Sequence, residues 1–168
     1  MKHLIQILVS ILFLASIHSC KTVEIKDLER FYTYEKNAVP EVISKGEKVI
    51  FIKDEPIAIK YNVNAKKTIK KHYSGEYVII DRIEFNEKNY KDSLDYRYIM
   101  EFEKEVSTEV KQDIHTLVNT TKSQTYFTYF IIDRWTKNIY SSGRRINSND
   151  AIHDLRAYLI NLEKAREK

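Results

Sequence analysis

The side chain with the most distinctive chemistry in this sequence is its single cysteine, Cys20. A lone thiol excludes an intrachain disulfide and a zinc site built on cysteines. It follows a long stretch without charge, because no Asp, Glu, Lys or Arg occurs between Lys2 and Lys21. Most of that stretch is apolar, from Leu4 to Ile17. The chemistry of Cys20 is therefore tied to the apolar segment before it.

The segment before Cys20 has the features of an export signal, with a basic start, an apolar stretch and a small residue at its end. The apolar stretch is shorter than the roughly 20 residues that cross a bilayer, so an uncleaved anchor is the alternative. Ile17-His18-Ser19-Cys20 resembles the lipobox of bacterial lipoproteins: an aliphatic residue, a tolerant position, a small residue and the lipid-bearing cysteine. Ile17 and Ser19 fit this pattern, whereas His18 is uncommon at the tolerant position. The resemblance covers residues 1–20 only.

This resemblance implies a lipid anchor. In that family the chain is cleaved between Ser19 and Cys20, and the thiol is joined to diacylglycerol, which carries acyl chains such as palmitate. Burying acyl chains contributes about 0.8 kcal/mol per CH₂, so two or more chains attach a protein stably. The expected membrane partner is therefore lipid, bound through acylated Cys20. An incidental cysteine near an ordinary cleavage site is the alternative.

The lipobox also sets expectations for charge and location. Removing residues 1–19 takes away one lysine and no acid, so the formal net charge falls from +4 to +3. Lys21 follows the cysteine, whereas an aspartate there holds similar lipoproteins at the inner membrane in some Gram-negative groups. We therefore expect a lipid-anchored protein on the extracytoplasmic side of the cell envelope, in the periplasm or at the surface. The outer membrane is favoured if the cell is Gram-negative.

The rest of the sequence contains no recognisable catalytic or cofactor motif. Its three glycines lie far apart, which excludes a glycine-rich phosphate loop, and no Gly-x-Ser-x-Gly elbow occurs. His72, His115 and His153 are separated by 43 and 38 residues, without a metal-binding spacing, and are expected at the surface or at the boundary of the core. We therefore predict no catalytic residue, no metal site and no cofactor.

Two aspartates interrupt apolar patterns and need an explanation. Asp81 stands where the alternation of Tyr77 and Ile79 would place another apolar residue. Asp133 ends the apolar run TYFTYFIID. An unpaired buried charge is very costly, so each aspartate needs a partner if its face is buried. An ion pair or a turn-forming aspartate is the favoured interpretation for both residues. A catalytic acid is the alternative.

Lysines are concentrated in residues 60–73. One interpretation is an edge strand, on which lysines prevent pairing with other chains. The other is a basic patch that contacts anionic lipid headgroups or an acidic polymer, each lysine contributing around 1 kcal/mol near a charged surface. The candidate lysines are Lys66, Lys67, Lys70 and Lys71.

Aromatic residues form a second candidate surface. The chain has twelve tyrosines against seven phenylalanines. Five aromatic residues crowd one strand region: Tyr126, Phe127, Tyr129, Phe130 and Trp135. Tyrosine combines apolar area with a polar tip and suits partly wet interfaces. The alternative is that these rings cap the rim of the core. The candidate residues are Tyr126, Tyr129 and Trp135, with an apolar or glycan ligand as one use of a groove there.

Composition supports one globular domain. The chain is 43% hydrophobic and 31% charged over 168 residues, enough for a single core. Lysines and acids are interleaved, unlike the concentrated basic stripe of nucleic-acid-binding proteins. We therefore expect no nucleic acid among the partners. The predicted organisation is a signal peptide over 1–19, a lipidated N-terminus with a short tether or helix over 20–45, and one domain over 46–168.

Period-two patterns predict a series of strands, with turns at 54–56, 74–76 and 137–138. The predicted strands are 48–53, 57–63, 67–73, 77–85, 94–103, 125–133 and 139–142. The strand over 94–103 is expected to be antiparallel, with one buried face and one wet face, because Tyr96, Tyr98, Met100 and Phe102 alternate with charged residues.

Helical spacing predicts a short helix near 24–36, a mid-chain helix over 107–120 and a C-terminal helix beginning at Ala151. Ser148 or Asn149 is the expected N-cap of the last helix. The predicted fold is α+β: a mainly antiparallel sheet with a mid-chain helix and a C-terminal amphipathic helix packed on one face.

These features favour a membrane-anchored envelope lipoprotein that acts as a non-enzymatic binding or assembly module, with another envelope protein as its partner. A toxin-immunity lipoprotein is a closely related alternative. A carboxylate-dependent hydrolase would need two acids that converge in a cleft. A structural lipoprotein linking envelope layers should show an exposed apolar or basic face without a pocket.

Overall fold

The computed structural model of the chain describes residues 24–53, 59–87, 90, 95–112 and 119–168. The predicted export signal, the lipid site Cys20, the turn at 54–56 and His115 lie outside the described residues. Everything stated below about the fold refers to the described part of the chain.

The fold is α+β, with a mixed and mostly antiparallel sheet. Its strands are β1 (Val49–Lys53), β2 (Tyr77–Asp81), β3 (Tyr98–Gln112), β4 (Asn119–Asp133), β5 (Ile139–Ser141) and β6 (Ile146–Asn147). The strand order is β2-β1-β3-β4-β5, and β6 also pairs with β4. β1 runs parallel to both β2 and β3, whereas β4 is antiparallel to β3, β5 and β6.

Four α-helices and one 3-10 turn accompany the sheet in the described residues. They are α1 (Ile25–Glu29), the 3-10 turn Tyr34–Lys36, α2 (Ile59–His72), α3 (Arg82–Glu87) and α4 (Ala151–Glu167). The C-terminal helix is thus confirmed, whereas the predicted helix near 24–36 is shorter. The N-cap of α4 is Asp150, not Ser148 or Asn149, and its side chain makes no capping hydrogen bond. Instead the backbone carbonyl of Asp150 accepts from the amide of Asp154 at 3.1 Å.

The two strands predicted over 57–63 and 67–73 are wrong, because Ile59–His72 is a helix. The apolar alternation from Ile57 to Val63 is too short to decide between a strand and a helix. Farther along, Ala65, Ile69 and Tyr73 are buried at intervals of four, which places them on one side of a helix.

The helix predicted over 107–120 is also wrong, because β3 continues to Gln112 and β4 begins at Asn119. An interval of four, as between Val106 and Val110, is one turn of a helix but also two full repeats of a strand. The intervening Thr108 lies on the same strand face, and β-branched residues favour extended backbone. The mid-chain helix of this protein is therefore α2.

The strand predicted over 94–103 exists, but it begins at Tyr98 and is buried on both faces there. Ile99, the one apolar residue on the face expected to be wet, is only 7% exposed. β1 explains this burial, since it pairs with β3 in parallel register from Val49 opposite Tyr98 to Phe51 opposite Met100. Parallel strands are ordinarily covered on both faces.

Two buried clusters lie on opposite sides of the sheet. The larger joins residues of α1, α2 and α4 to one face, including Leu28, Ile69 and Leu159 with Phe51 and Tyr129. The smaller contains Ile50, Ile52, Ile80 and Ile99, with Phe85 of α3, Tyr90 and Tyr96 packed against it. We refer to α1, α2 and α4 together as the helical layer.

The segment after α1 is fastened to α4 by hydrogen bonds between distant parts of the chain. The Tyr158 hydroxyl donates to the Ala38 carbonyl at 2.6 Å, and the Ile43 amide donates to the Ala165 carbonyl at 2.9 Å. Both contacts are completed by residues of α4, which is therefore the structural centre of the helical layer.

Candidate functional site

The four candidate lysines lie together on one exposed face of α2, which we call the lysine face. All four lysines are exposed. Lys67, Lys70 and Lys71 lie on the side of the helix away from buried Ala65 and Ile69, and Lys66 lies at the edge of the face. They belong to a helix and not to an edge strand, so prevention of strand pairing does not account for them. Val63, 51% exposed, adds an apolar side chain one turn before Lys66 and Lys67.

The lysine face is not balanced by acids on its own helix. The sequence of α2 contains no Asp or Glu. Lys66 and Lys70, and likewise Lys67 and Lys71, are four residues apart, where like charges repel on a helix. Among the described residues, no ion pair involves any of these four lysines.

The positive charge extends towards α4. Partial burial, followed by the charges of Arg156 and Lys71, lowers the pKa of His72 below its ordinary value. Arg156 is an exposed residue of α4. His72 is half-buried and His153 is exposed, as expected for surface or boundary histidines.

A mainly apolar cleft adjoins the lysine face. It lies between α2, the sheet and α4. Ile69, Met100 and Phe102 contribute to its walls, with Lys53 and Lys66 among the lining residues. The cleft also includes one carboxylate, Glu101, which forms an ion pair with Arg82.

The distal halves of β3 and β4 project beyond the sheet. Their register is continuous from Tyr98 opposite Asp133 to Gln112 opposite Asn119. The register of β1 with β3 ends at Met100, and that of β6 with β4 ends at Tyr126. In the described chain, Val106–Gln112 and Asn119–Thr125 therefore pair as strands with each other and with no third strand. We call this two-stranded unit, about 23 Å long, the ribbon.

The two faces of the ribbon differ in charge. One face, the neutral face, pairs Val106 with Thr125, Thr108 with Ser123 and Val110 with Thr121. Val106 and Val110 are 58% and 62% exposed. The opposite face pairs Glu105 with Tyr126, Ser107 with Gln124 and Glu109 with Lys122. Because strand side chains alternate, the neutral face continues the side that carries buried Tyr129 in the core.

The three candidate aromatic residues do not form one surface. Tyr129 is 2% exposed, and its hydroxyl donates to the Ala151 carbonyl at 2.7 Å, so this ring belongs to the core. Tyr126 is half-buried at the base of the ribbon, with the Arg145 guanidinium 4.5 Å from its ring centroid. Trp135 is 49% exposed and lies in the turn after β4.

Asp133 is both ion-paired and turn-forming, as the favoured interpretation of the sequence proposed. It is 1% exposed and accepts two hydrogen bonds from Arg97, Nε to Oδ1 at 3.0 Å and Nη2 to Oδ2 at 2.7 Å. Burial alone would raise the pKa of Asp133. The hydrogen bonds from Arg97 and from the amides of Trp135 and Thr136 nevertheless hold it below its ordinary value.

The same arginine links three parts of the chain. Its Nη1 donates to Glu47 at 2.5 Å, and its guanidinium lies 4.7 Å from the Trp135 ring centroid and 4.9 Å from that of Tyr98. These contacts join the segment before β1, the start of β3 and the end of β4. All of the charges in this cluster are paired with one another, which is the pattern of a structural ion-pair network.

Asp81 also has a structural partner. Its carboxylate accepts from the Glu84 amide at 2.7 Å, so it satisfies a backbone donor in the first turn of α3. Lys53 lies 4.0 Å from its other oxygen. Asp81 is half-buried and thus fits the turn-forming interpretation.

Asp154 of α4 is a further buried acid. It is 0% exposed and accepts from the Tyr32 hydroxyl at 2.6 Å and from Arg144 Nε at 2.9 Å, both at Oδ1. Burial, then the hydrogen bond to Asp154, raises the pKa of Tyr32 well above its ordinary value. These contacts fasten the segment after α1 and the loop before β6 to the start of α4.

No protein-family model matches the sequence, and no curated protein is significantly similar to it. In the described ranges, no three or more His, Cys, Asp or Glu side chains converge as a metal site would require. Nor does any helix of the described chain combine the length and apolar content needed to span a bilayer.

The sequence analysis thus found the lysines but missed the ribbon. The spacing of lysine pairs, with Ala65, Ile69 and Tyr73 between them at intervals of four, was the available signal for a helical lysine face. For the ribbon, the signal was the succession of β-branched residues at alternate positions, Val106, Thr108 and Val110.

Proposed function

We propose that this chain is a lipid-anchored lipoprotein of the cell envelope that acts as a non-enzymatic binding or assembly module. Acylated Cys20 provides the anchor, and the ribbon is the surface that contacts another envelope protein. The ribbon is the observation that carries this proposal, because it extends the pairing of β3 and β4 past the last residues that the sheet holds.

An isolated two-stranded unit is marginally stable in water, so a ribbon of this length has little value as part of the core. It is well suited to recognition, because an exposed strand edge offers backbone donors and acceptors to an added strand. The neutral face also offers Val106 and Val110 between threonine and serine positions, a surface that a partner can cover without burying charge.

The remainder of the domain serves as a rigid support in this proposal. The amphipathic helix α4 packs its apolar stripe on one face of the sheet together with α2, and α1 joins them in the same core cluster. The buried carboxylates Asp133 and Asp154 both bind arginines that cross-link chain segments, which favours a structural role for them over an acid-base role.

Site-specific photo-cross-linking in the native membrane tests the ribbon. A cross-linking amino acid at Val110 should capture a defined envelope protein, and the double variant Val106→Lys/Val110→Lys should reduce its co-purification by about tenfold or more, since two buried charges oppose the contact. Ser107→Lys/Gln124→Lys adds the same charge to the opposite face and is the matched control. Equal recovery of the partner with both variants would show that the neutral face is not the contact surface.

The anchor is tested separately by mass spectrometry of the purified protein. We expect an N-terminus at Cys20 that carries acyl mass, and Cys20→Ala should remain unprocessed and lose that mass. A mature chain that still begins at residue 1, or a Cys20 without lipid, would contradict the anchored function.

A further inference from the structure

We propose that the lysine face of α2 docks on the anionic headgroups of the membrane, so that the helical layer of the domain lies against the bilayer. This orientation rests on the proposed lipid anchor, whereas the affinity of the lysine face for anionic lipid does not. The proposal gives the anchored domain a fixed side towards the membrane, instead of free rotation about its tether.

The first argument for docking is the distribution of charge on α2. A solvated helix face ordinarily mixes lysines with acids at intervals of three or four, because such pairs stabilise the helix. α2 instead places four exposed lysines within six residues and contains no acid. A negatively charged surface removes the mutual repulsion of these groups, which no described ion pair does.

The shape of the patch favours a lipid surface over a soluble polyanion. Val63 is 51% exposed on the lysine side of the helix, one turn before Lys66 and Lys67. A membrane-surface helix combines such an apolar side chain, which enters the headgroup region, with lysines that contact phosphates. A soluble polyanion offers nothing to Val63.

The last argument for docking is the short distance along the chain between Cys20 and α1. α1 begins at Ile25, five residues after Cys20, and a fully extended chain of that length spans at most about 18 Å. α1 and α2 both contribute to the core cluster of the helical layer, so the tether leaves the domain from the layer that bears the lysine face. Screening in physiological salt acts over about 8–10 Å, so an anchor this short keeps the lysines near the range of the headgroup charge.

The experiment uses the full-length lipidated protein reconstituted into vesicles. A fluorophore on Val63→Cys reports proximity to the bilayer through quenching by spin-labelled lipid, since the Cys20 sulfur is occupied by its lipid. We expect at least about threefold stronger quenching in vesicles with roughly one-quarter phosphatidylglycerol than in phosphatidylcholine alone, and loss of the difference in high salt. Lys66→Glu/Lys67→Glu should reduce quenching to the phosphatidylcholine value.

Lys45→Glu/Lys137→Glu is the matched control, because it makes the same change in net charge at exposed positions outside the helical layer. It should leave the quenching unchanged. Equal quenching in both kinds of vesicle, or equal loss in both double variants, overturns the docking proposal. Binding to soluble polyphosphate, together with equal quenching in the two kinds of vesicle, also overturns the docking proposal. That result would assign the lysine face to an acidic polymer.

Failure of the anchor is distinguishable from failure of the lysine face. If Cys20 carries no lipid, the full chain is sedimented directly with the two kinds of vesicle. Co-sedimentation with the anionic vesicles that Lys66→Glu/Lys67→Glu reduces at least about fivefold supports the lysine face on its own. Absence of such co-sedimentation overturns it.

Discussion

At the scale of single residues, the groups most important for stability are buried charges whose ion pairs link distant segments of the chain. Arg97 and Asp133 are joined by two hydrogen bonds, and Arg144 and Asp154 by one. A buried pair is not by itself a large source of stability, but removing one partner leaves an uncompensated charge. Each pair therefore makes the fold sensitive to loss of either residue, although neither pair lies in a proposed binding surface.

Asp133→Asn should reduce the free energy of unfolding by about 2–3 kcal/mol at neutral pH, because Arg97 then loses its buried countercharge. The pKa of Asp133 is lowered in the folded state. Its contribution to stability is therefore complete above the pKa of the unfolded chain, about 4, and is lost as the pH falls below that value. Urea unfolding of both proteins between neutral and acidic pH should show their difference shrinking below about pH 4.

Glu105→Gln is the control for this prediction. Glu105 pairs with Arg145 at 3.0 Å, but its side chain is 59% exposed, so the loss should not exceed about 0.5–1 kcal/mol. A loss at Asp133 no larger than at Glu105, or a difference that persists unchanged in acid, would mean that the Arg97 pair does not stabilise the fold.

At the scale of elements, the sequence correctly predicted the helices and strands in which a long apolar pattern fits a single period. α4 repeats apolar residues over more than four turns, and β4 ends in a run of bulky residues. α2 and the distal part of β3 were mistaken for each other's type because short windows with apolar intervals of four fit both periods. The candidate lysines were identified from composition, but their common face depends on the helix and could not be seen without it.

The burial of Tyr129 illustrates a different limit. Tyr126, Tyr129 and Trp135 have similar chemistry in the sequence, yet of the three only Tyr129 packs against α4, where its ring lies beside Tyr158 in the larger core cluster. Burial of a tyrosine is decided by contacts between distant segments, which no local pattern encodes. The ion pair of Arg97 and Asp133, 36 residues apart, was unpredictable as a pair for the same reason.

Lys66→Glu/Lys67→Glu should stabilise the isolated domain even though it is expected to abolish docking. The two glutamates would face Lys70 and Lys71 at intervals of four, in the favourable orientation with the acid nearer the N-terminus. Relief of two repulsions and gain of two attractions should raise the free energy of unfolding by about 1 kcal/mol. Urea unfolding in low salt measures this change.

Lys45→Glu/Lys137→Glu should change the free energy of unfolding by less than about 0.5 kcal/mol in the same assay, as is usual for surface substitutions. A destabilised Lys66→Glu/Lys67→Glu protein would indicate that these lysines have structural partners, and would count against a face kept for an external ligand.

At the scale of the whole molecule, the domain combines a closed core with a projecting ribbon of lower local stability. Val49, Ile50 and Phe51 of β1 are each at most 3% exposed, between two neighbouring strands and two core clusters. Val106 and Val110 lie on a pair of strands whose described neighbours cover neither face. Local opening should therefore be far easier in the ribbon than in β1.

Amide hydrogen exchange of the free protein should show this gradient. Amides of Val106–Val110 should exchange at least about 100-fold faster than those of Val49–Phe51, because opening the ribbon does not require the core to unfold. Bound to its proposed partner, the ribbon should approach the protection of β1. Equal protection of both segments in the free protein would contradict the view of the ribbon as an independent recognition element.

The hydrogen bonds between the N-terminal segment and α4 determine when the core can form during synthesis. The Tyr32 hydroxyl, the Ala38 carbonyl and the Ile43 amide find their hydrogen-bond partners on a helix more than 110 residues farther along the chain. A growing polypeptide therefore cannot close its larger core until α4 has left the ribosome. A core that stays open until α4 emerges suits the proposed export, because a secretion channel threads its clients unfolded.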